Sequence, residues 1–168
     1  MKIGILGGSF DPAHKGHLAI SKEARKRFKL EKIIWAITKK NPLKAESKTP
    51  ISKKIKDCKK IIGLNSFIKV KFYENIIKSN KTIDLVNYLK KNKNIKIFFL
   101  MGADNLISFH KWHKSKLISQ KCNIIVFDRH GYKKNSLKSK TFKRLNNKTL
   151  TYVEFKKVNI SSSQIRKI

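Results

Sequence analysis

Two histidines three residues apart, His14 and His17, close the string GILGGSFDPAHKGH, Gly4 to His17. An imidazole can donate a hydrogen bond to an oxyanion, accept one, or bind a metal. Placed in one helical turn, residues i and i+3 share a face. The residues before them suit a phosphate. Gly7 and Gly8 are expected to let the chain turn sharply and approach a ligand with no Cβ in the way. Pro12 stiffens the loop. A helix that follows offers free N–H groups and the positive end of its dipole, a seat for an anion. The string is neither GxGxxG nor a P-loop, since GK[ST] is missing. A zinc site wants three or four convergent ligands. His110, His113 and His130 fall on other segments without ligand spacing, so no metal held by the protein is expected.

Strands and helices must place that string. KIGIL (2–6) is a short apolar strand running into the glycines. Residues 17–28 carry Leu18, Ser21, Ala24 and Phe28 at helical spacing. KIIWAI (32–37) is β-branched with an aromatic, a second strand, and a loop punctuated by Pro42 and Pro50 follows. Ile51, Ile55, Cys58 and Ile62 predict a helix over 51–62. FIKVKF (67–72) alternates as a strand does, and 82–92 is helical with Thr82 placed to cap it. Strands follow at 95–101, 123–127 and 151–155, then a short serine-capped helix at the end. Alternation of this kind predicts one α/β domain over 1–168: a Rossmann-like open parallel sheet with helices on both faces. Ligands of such sheets bind outside the carboxyl ends of the strands, where strand order reverses.

Composition narrows the class. The 168 residues are 40% hydrophobic, enough for a core despite the charge. Cys58 and Cys122 form no CxxC pair and fit a reducing compartment. No signal peptide is evident, and no apolar run approaches the roughly 20 residues a membrane helix needs. A cytoplasmic protein without membrane contact is expected. Lys+Arg total 41 against Asp+Glu 10, a formal charge of +31. The basic residues are mostly lysines spread along the whole chain, beside frequent Asn and Ile, a composition of A- and T-rich codons. No dedicated nucleic-acid site is expected from it. Such a field still draws in anionic substrates. No feature reports an oligomeric state.

The string GGSFDPAHKGH resembles the signature of the nucleotidyltransferase superfamily that carries an HxGH motif. ISSSQIR (160–166) resembles that superfamily's second signature, I-S-S-T-x-I-R. FFLMGADNLISFHKW (98–112) resembles the G-A-D segment of bacterial nicotinate-nucleotide adenylyltransferases. NPLK (41–44), KTIDLVNYL (81–89) and VFDRHG (126–131) fall where that family has its P-x-K loop, its T-x-D-T-L helix and its D-R-x-G turn. Ser9 and Ser163 stand where threonine is usual, and Leu85 replaces a second threonine.

The resemblance implies transfer of the adenylyl group of ATP to nicotinate mononucleotide, giving nicotinate adenine dinucleotide and pyrophosphate, with Mg²⁺ brought in on the triphosphate. It implies that His14, His17 and Arg166 are catalytic, with His17 nearer the α-phosphate. Gly8, Ser9 and Phe10 would line the nucleotide, Gly102 and Asp104 its ribose, and Ser162, Ser163 and Arg166 its β,γ-phosphates. Lys44, Thr82, Asp84 and Trp112 would meet the mononucleotide, Trp112 by stacking on the pyridine ring.

Three other functions compete. Phosphopantetheine adenylyltransferases share both end signatures but lack M-G-A-D-N with a following tryptophan. An enzyme preferring nicotinamide mononucleotide differs only in how a carboxylate or an amide is read. A non-catalytic nucleic-acid binder would not need His14, His17 and Arg166 together. Salt separates the last from an enzyme. Nucleic-acid binding should collapse between low and moderate salt, whereas pyrophosphate release should persist; a filter-binding titration and a release assay over the same salt range check this.

Overall fold

The computed structural model describes residues 1–39 and 47–155. Its centre is one sheet of six strands, all parallel, in the order β3-β2-β1-β4-β5-β6. The strands are β1 (Lys2–Gly8), β2 (Lys32–Ile37), β3 (Ile68–Lys71), β4 (Lys96–Gly102), β5 (Cys122–Phe127) and β6 (Leu150–Val153). Between them lie α1 (Lys15–Phe28), α2 (Ile51–Ile62), α3 (Glu74–Ile77), α4 (Thr82–Lys90), α5 (Ala103–Ser108), α6 (Ser115–Lys121), α7 (Lys133–Leu137) and α8 (Lys140–Leu145). The expected open parallel sheet with helices on both faces is therefore present. Strand order reverses between β1 and β4, whose pairing ends at Leu6 and Leu100 while the strands run on to Gly8 and Gly102, the place where such sheets open a crevice.

Strand periodicity decides which side each residue serves. Ile3, Ile5, Ile97, Phe99, Met101, Ile124 and Val126 face one side and pack with Ile83, Val86, Leu106 and Ile118 of α4, α5 and α6. Leu6, Trp35, Phe98, Leu100, Ile125 and Phe127 face the other and pack with Ala24, Cys58 and Ile62 of α1 and α2. Central strands buried on both faces read as continuous apolar runs, as KIIWAI and KIFFLMG do.

Several expected boundaries move. β1 does not end before the glycines: Gly7 and Gly8 continue the ladder opposite Ala36 and Ile37. The sharp turn falls instead on Phe10, at φ 47°, and on a cis Asp11–Pro12 bond. Phe10 tolerates the left-handed backbone because its ring is buried, 2% exposed, and stacked on Trp35. α1 starts two residues earlier than the apolar spacing suggests, because His14 caps it. Thr82 does not cap α4. Lys81 holds the cap position without a side-chain bond, and Ser79 organises the entry: its Oγ accepts from Lys81 N–H and donates to the Asp84 carboxylate at 2.5 Å. β6 begins and ends earlier than 151–155. The helices over 103–121 and 133–145 carry no regular apolar period in the sequence. They are short segments pressed onto the sheet by Leu106, Phe109, Ile118 and Leu145. The expected terminal helix, with Ser162, Ser163 and Arg166, and the loop bearing Lys44 lie outside the described residues.

Candidate active site at the β1–β4 crevice

The first turn of a helix has four N–H groups without helical partners. Here two histidines meet part of that need for each other. His14, the N-cap, takes the Gly16 N–H on its Nδ1 at 3.0 Å. His17, three residues on, takes the His14 N–H on its own Nδ1 at 3.1 Å. The arrangement is a capping box built from imidazoles instead of a hydroxyl and a carboxylate. Its chemical consequence is a fixed tautomer. A neutral imidazole whose Nδ1 accepts must carry its proton on Nε2. Both rings therefore keep an Nε2–H to offer, and they lie together, centroids 3.9 Å apart.

An aromatic floor holds His17. Phe10 lies 4.7 Å and Trp35 5.7 Å from its ring, centroid to centroid. Trp35 is fully buried and donates its indole N–H to Ser21 Oγ at 2.8 Å. Ser21 Oγ in turn donates to the His17 carbonyl at 2.8 Å. Desolvation is the main reason both imidazoles resist protonation. It pushes His17 down to about 3, with help from His14 and Arg129, and His14 down to about 4, with help from Arg129.

Arg129 is the residue that sequence reasoning passed over. It follows β5 by two positions, and its charge acts on both imidazoles. Its Nη1 donates to Asp104 Oδ2 at 2.6 Å. Asp128 helps to seat it by accepting the Arg129 N–H at 2.9 Å and the Tyr152 hydroxyl at 2.7 Å. The one signal for it in the sequence is the D-R pair at a strand end, Asp128-Arg129.

Asp104 stands in the first turn of α5, after Gly102 at the end of β4. Its Oδ1 is buried and has no hydrogen-bond partner among the described residues. A buried carboxylate oxygen without a donor is costly, so this one is suited to receive a ligand hydroxyl. Gly102 leaves it room: a Cβ there would sit 2.6 Å from Oδ1.

The other expected residues are placed as follows. Gly8 ends β1 and Ser9 follows it, both half-buried. The Asp11 carboxylate accepts from Ser47 Oγ at 2.6 Å and Thr49 Oγ1 at 2.7 Å, tying the glycine loop to the entrance of α2. Trp112 is half-buried, edge-on to Phe99 and 5.1 Å from Phe109. Phe109 is fully buried. Thr82 and Asp84 belong to a separate element, the start of α4, where Ser79 engages Asp84. Among the described residues, no three His, Cys, Asp or Glu side chains converge to hold a metal. No described helix is long and apolar enough to cross a membrane.

Residues 5–168 match the cytidylyltransferase-like family model. The chain is 65% identical to a probable nicotinate-nucleotide adenylyltransferase of Pelagibacter ubique, over 99% of this chain and 93% of that protein. It is 35% identical to a protein of the same name from Bradyrhizobium sp. strain ORS 278, over 77% of this chain and 68% of that one. A Plasmodium falciparum nicotinic acid mononucleotide adenylyltransferase complexed with NaAD shares the fold, with a TM-score of 0.80 at 22% identity, over 99% of this chain and 82% of that one.

The depressed imidazoles make a stability prediction. The unfolded chain takes up protons on histidine near pH 6.5, and the native site does not. The stability they contribute is complete above that pH and is lost as pH falls from about 6.5 toward 4. At pH 4.5 His17 accounts for a loss on the order of 2 kcal/mol. Urea denaturation at pH 7.5 and 4.5 should show a smaller acid loss in His17→Gln than in the parent; equal losses would contradict the assigned environment.

Proposed function

Because the chain belongs to the nicotinate-nucleotide adenylyltransferase family, we propose that it joins ATP and nicotinate mononucleotide to give nicotinate adenine dinucleotide and pyrophosphate. The chain is an enzyme of the nucleotidyltransferase class. The observation that carries the mechanism is the histidine pair: two Nε2–H donors with fixed tautomers at the mouth of a parallel-sheet crevice.

The 5′-phosphate of the mononucleotide attacks the α-phosphorus of ATP in line. The new P–O bond forms as the bond to the leaving pyrophosphate breaks, and no covalent enzyme intermediate is needed. Catalysis is then positioning, plus hydrogen bonds aimed at oxygens whose charge grows in the transition state. His17 and His14 donate Nε2–H to the phosphate oxygens, His17 at the α-phosphate. Neutral donors on an aromatic floor are already desolvated and oriented, so little reorganisation is required when charge develops. Arg129 supplies the fixed positive charge that the neutral rings lack. Asp104 Oδ1 receives a ribose hydroxyl, which gives that orphan acceptor its donor. Trp112, braced by Phe99 and Phe109, offers a flat surface to the pyridine ring.

Gly8, Ser9 and Phe10 line the nucleotide with backbone. Thr82 and Asp84 meet the mononucleotide from α4. Lys44, Ser162, Ser163 and Arg166 take the phosphate-contacting roles their motifs imply. Mg²⁺, carried by the triphosphate, neutralises phosphate charge. The free, buried thiols of Cys58 and Cys122 fit a reducing, cytoplasmic setting.

The test is pyrophosphate release with Mg·ATP and, in parallel, nicotinate mononucleotide, nicotinamide mononucleotide or phosphopantetheine. Release confined to the first supports the proposal, and release only with another acceptor replaces it. In the same assay His17→Ala should cut turnover roughly 10²-fold or more, with a smaller loss of ATP affinity. Near-normal turnover would remove His17 from the transition state.

A further inference from the structure

Lys54 is 1% exposed, the one charged residue that is buried among the described residues. Lysine is seldom fully buried, because its head group must leave water. An apolar side chain would fill that space in α2 without the penalty. What a lysine adds is a directed bond. Its Nζ donates to the carbonyl of Thr38 at 3.3 Å.

Thr38 is the first residue after β2, and it is held on several sides. Its hydroxyl donates to Glu74 Oε1 at 2.5 Å, and the Lys39 N–H donates to the same oxygen at 3.3 Å. Its N–H donates to the carbonyl of Gly8 at 2.9 Å. That last bond reaches the phosphate seat. In a trans peptide the N–H and C=O point to opposite sides. With the Gly8 carbonyl turned toward β2, the next N–H, that of Ser9, points away from β2, toward the side on which β4 lies. The crevice opens on that side.

We propose that Lys54 is a positioning residue for adenylyl transfer. Through Thr38 it fixes the Gly8–Ser9 peptide so that the Ser9 N–H faces the transferring phosphate. Glu74 braces the same junction from α3. The assignment rests on the reaction proposed above for its kinetic consequence, but the linkage itself is independent of it.

Two readouts on full-length protein separate these. Amide hydrogen exchange reports the Thr38 N–H to Gly8 bond directly. Lys54→Met should speed exchange at Thr38 by about tenfold or more, while β4 and β5 amides stay protected. Lys54→Arg should restore protection. In the pyrophosphate assay Lys54→Met should lower kcat about tenfold with the KM for nicotinate mononucleotide changed less than about threefold, the pattern of a lost transition-state contact. Glu74→Ala, which removes the acceptor of both bonds, should move both readouts in the same direction, and Lys54→Leu takes the place of Lys54→Met if that variant does not fold. Unchanged exchange at Thr38 in a folded variant would overturn the linkage. Faster exchange with unchanged kcat would overturn the positioning role and leave a purely structural lysine. A parent protein inactive with nicotinate mononucleotide would overturn the reaction instead, while the exchange comparison would still decide the linkage.

Discussion

The site depends on a pair of hydrogen bonds in which each histidine satisfies backbone at the start of α1 through its Nδ1. A helix start without such acceptors leaves N–H groups unmet. Meeting that need with imidazoles does two things together. It anchors the turn that carries Phe10 and Pro12 into the helix, and it commits both Nε2 atoms to carrying protons. A hydroxyl or carboxylate cap would hold the helix equally well but would leave no outward donor. The same residues thus hold the helix start and present two donors, and the helix geometry sets the distance between them.

The surroundings keep that pair neutral. Trp35 and Phe10 take water away from one side of His17, and Ser21 locks the indole beneath it. Arg129 adds a positive charge nearby, held to its task by Asp104 and by the Asp128–Tyr152 contact below it. Donors and charge come from different strand ends, β1, β4 and β5. A parallel sheet places all its carboxyl ends on one edge, and its strand order opens a crevice between β1 and β4. The lysines that dominate the net charge are spread over the chain, whereas these few groups are set by packing.

Much of this is legible in the amino-acid sequence. The apolar runs identify all six strands to within two residues at each end, because β-branched and aromatic residues buried in the sheet leave a clear signal. The string from Gly7 to His17 marks the turn from β1 into α1, and Gly102 and Asp104 mark the end of β4 beside it. The departures share a cause. Gly7 and Gly8 resemble a turn by composition, but pairing with Ala36 and Ile37 keeps them in the ladder. Thr82 resembles a cap, but Ser79 three residues earlier organises the start of α4. The short helices α5 to α8 lack a period of their own, since their stability comes from the sheet they cover.

The sequence by itself determined the kind of fold, the order of its elements and the residue types at the turn into α1, because periodicity and motif spacing are local properties of the chain. Only the tertiary structure decided which nitrogen of each histidine is left outward, that burial holds both rings against protonation, that Asp104 keeps an acceptor with no partner among the described residues, and that Arg129 meets Asp104 and Lys54 meets Thr38. Each of these turns on partners distant in sequence. Arg129 lies 25 residues from Asp104, and Lys54 lies 16 from Thr38. Burial and hydrogen-bond direction exist only once those segments meet.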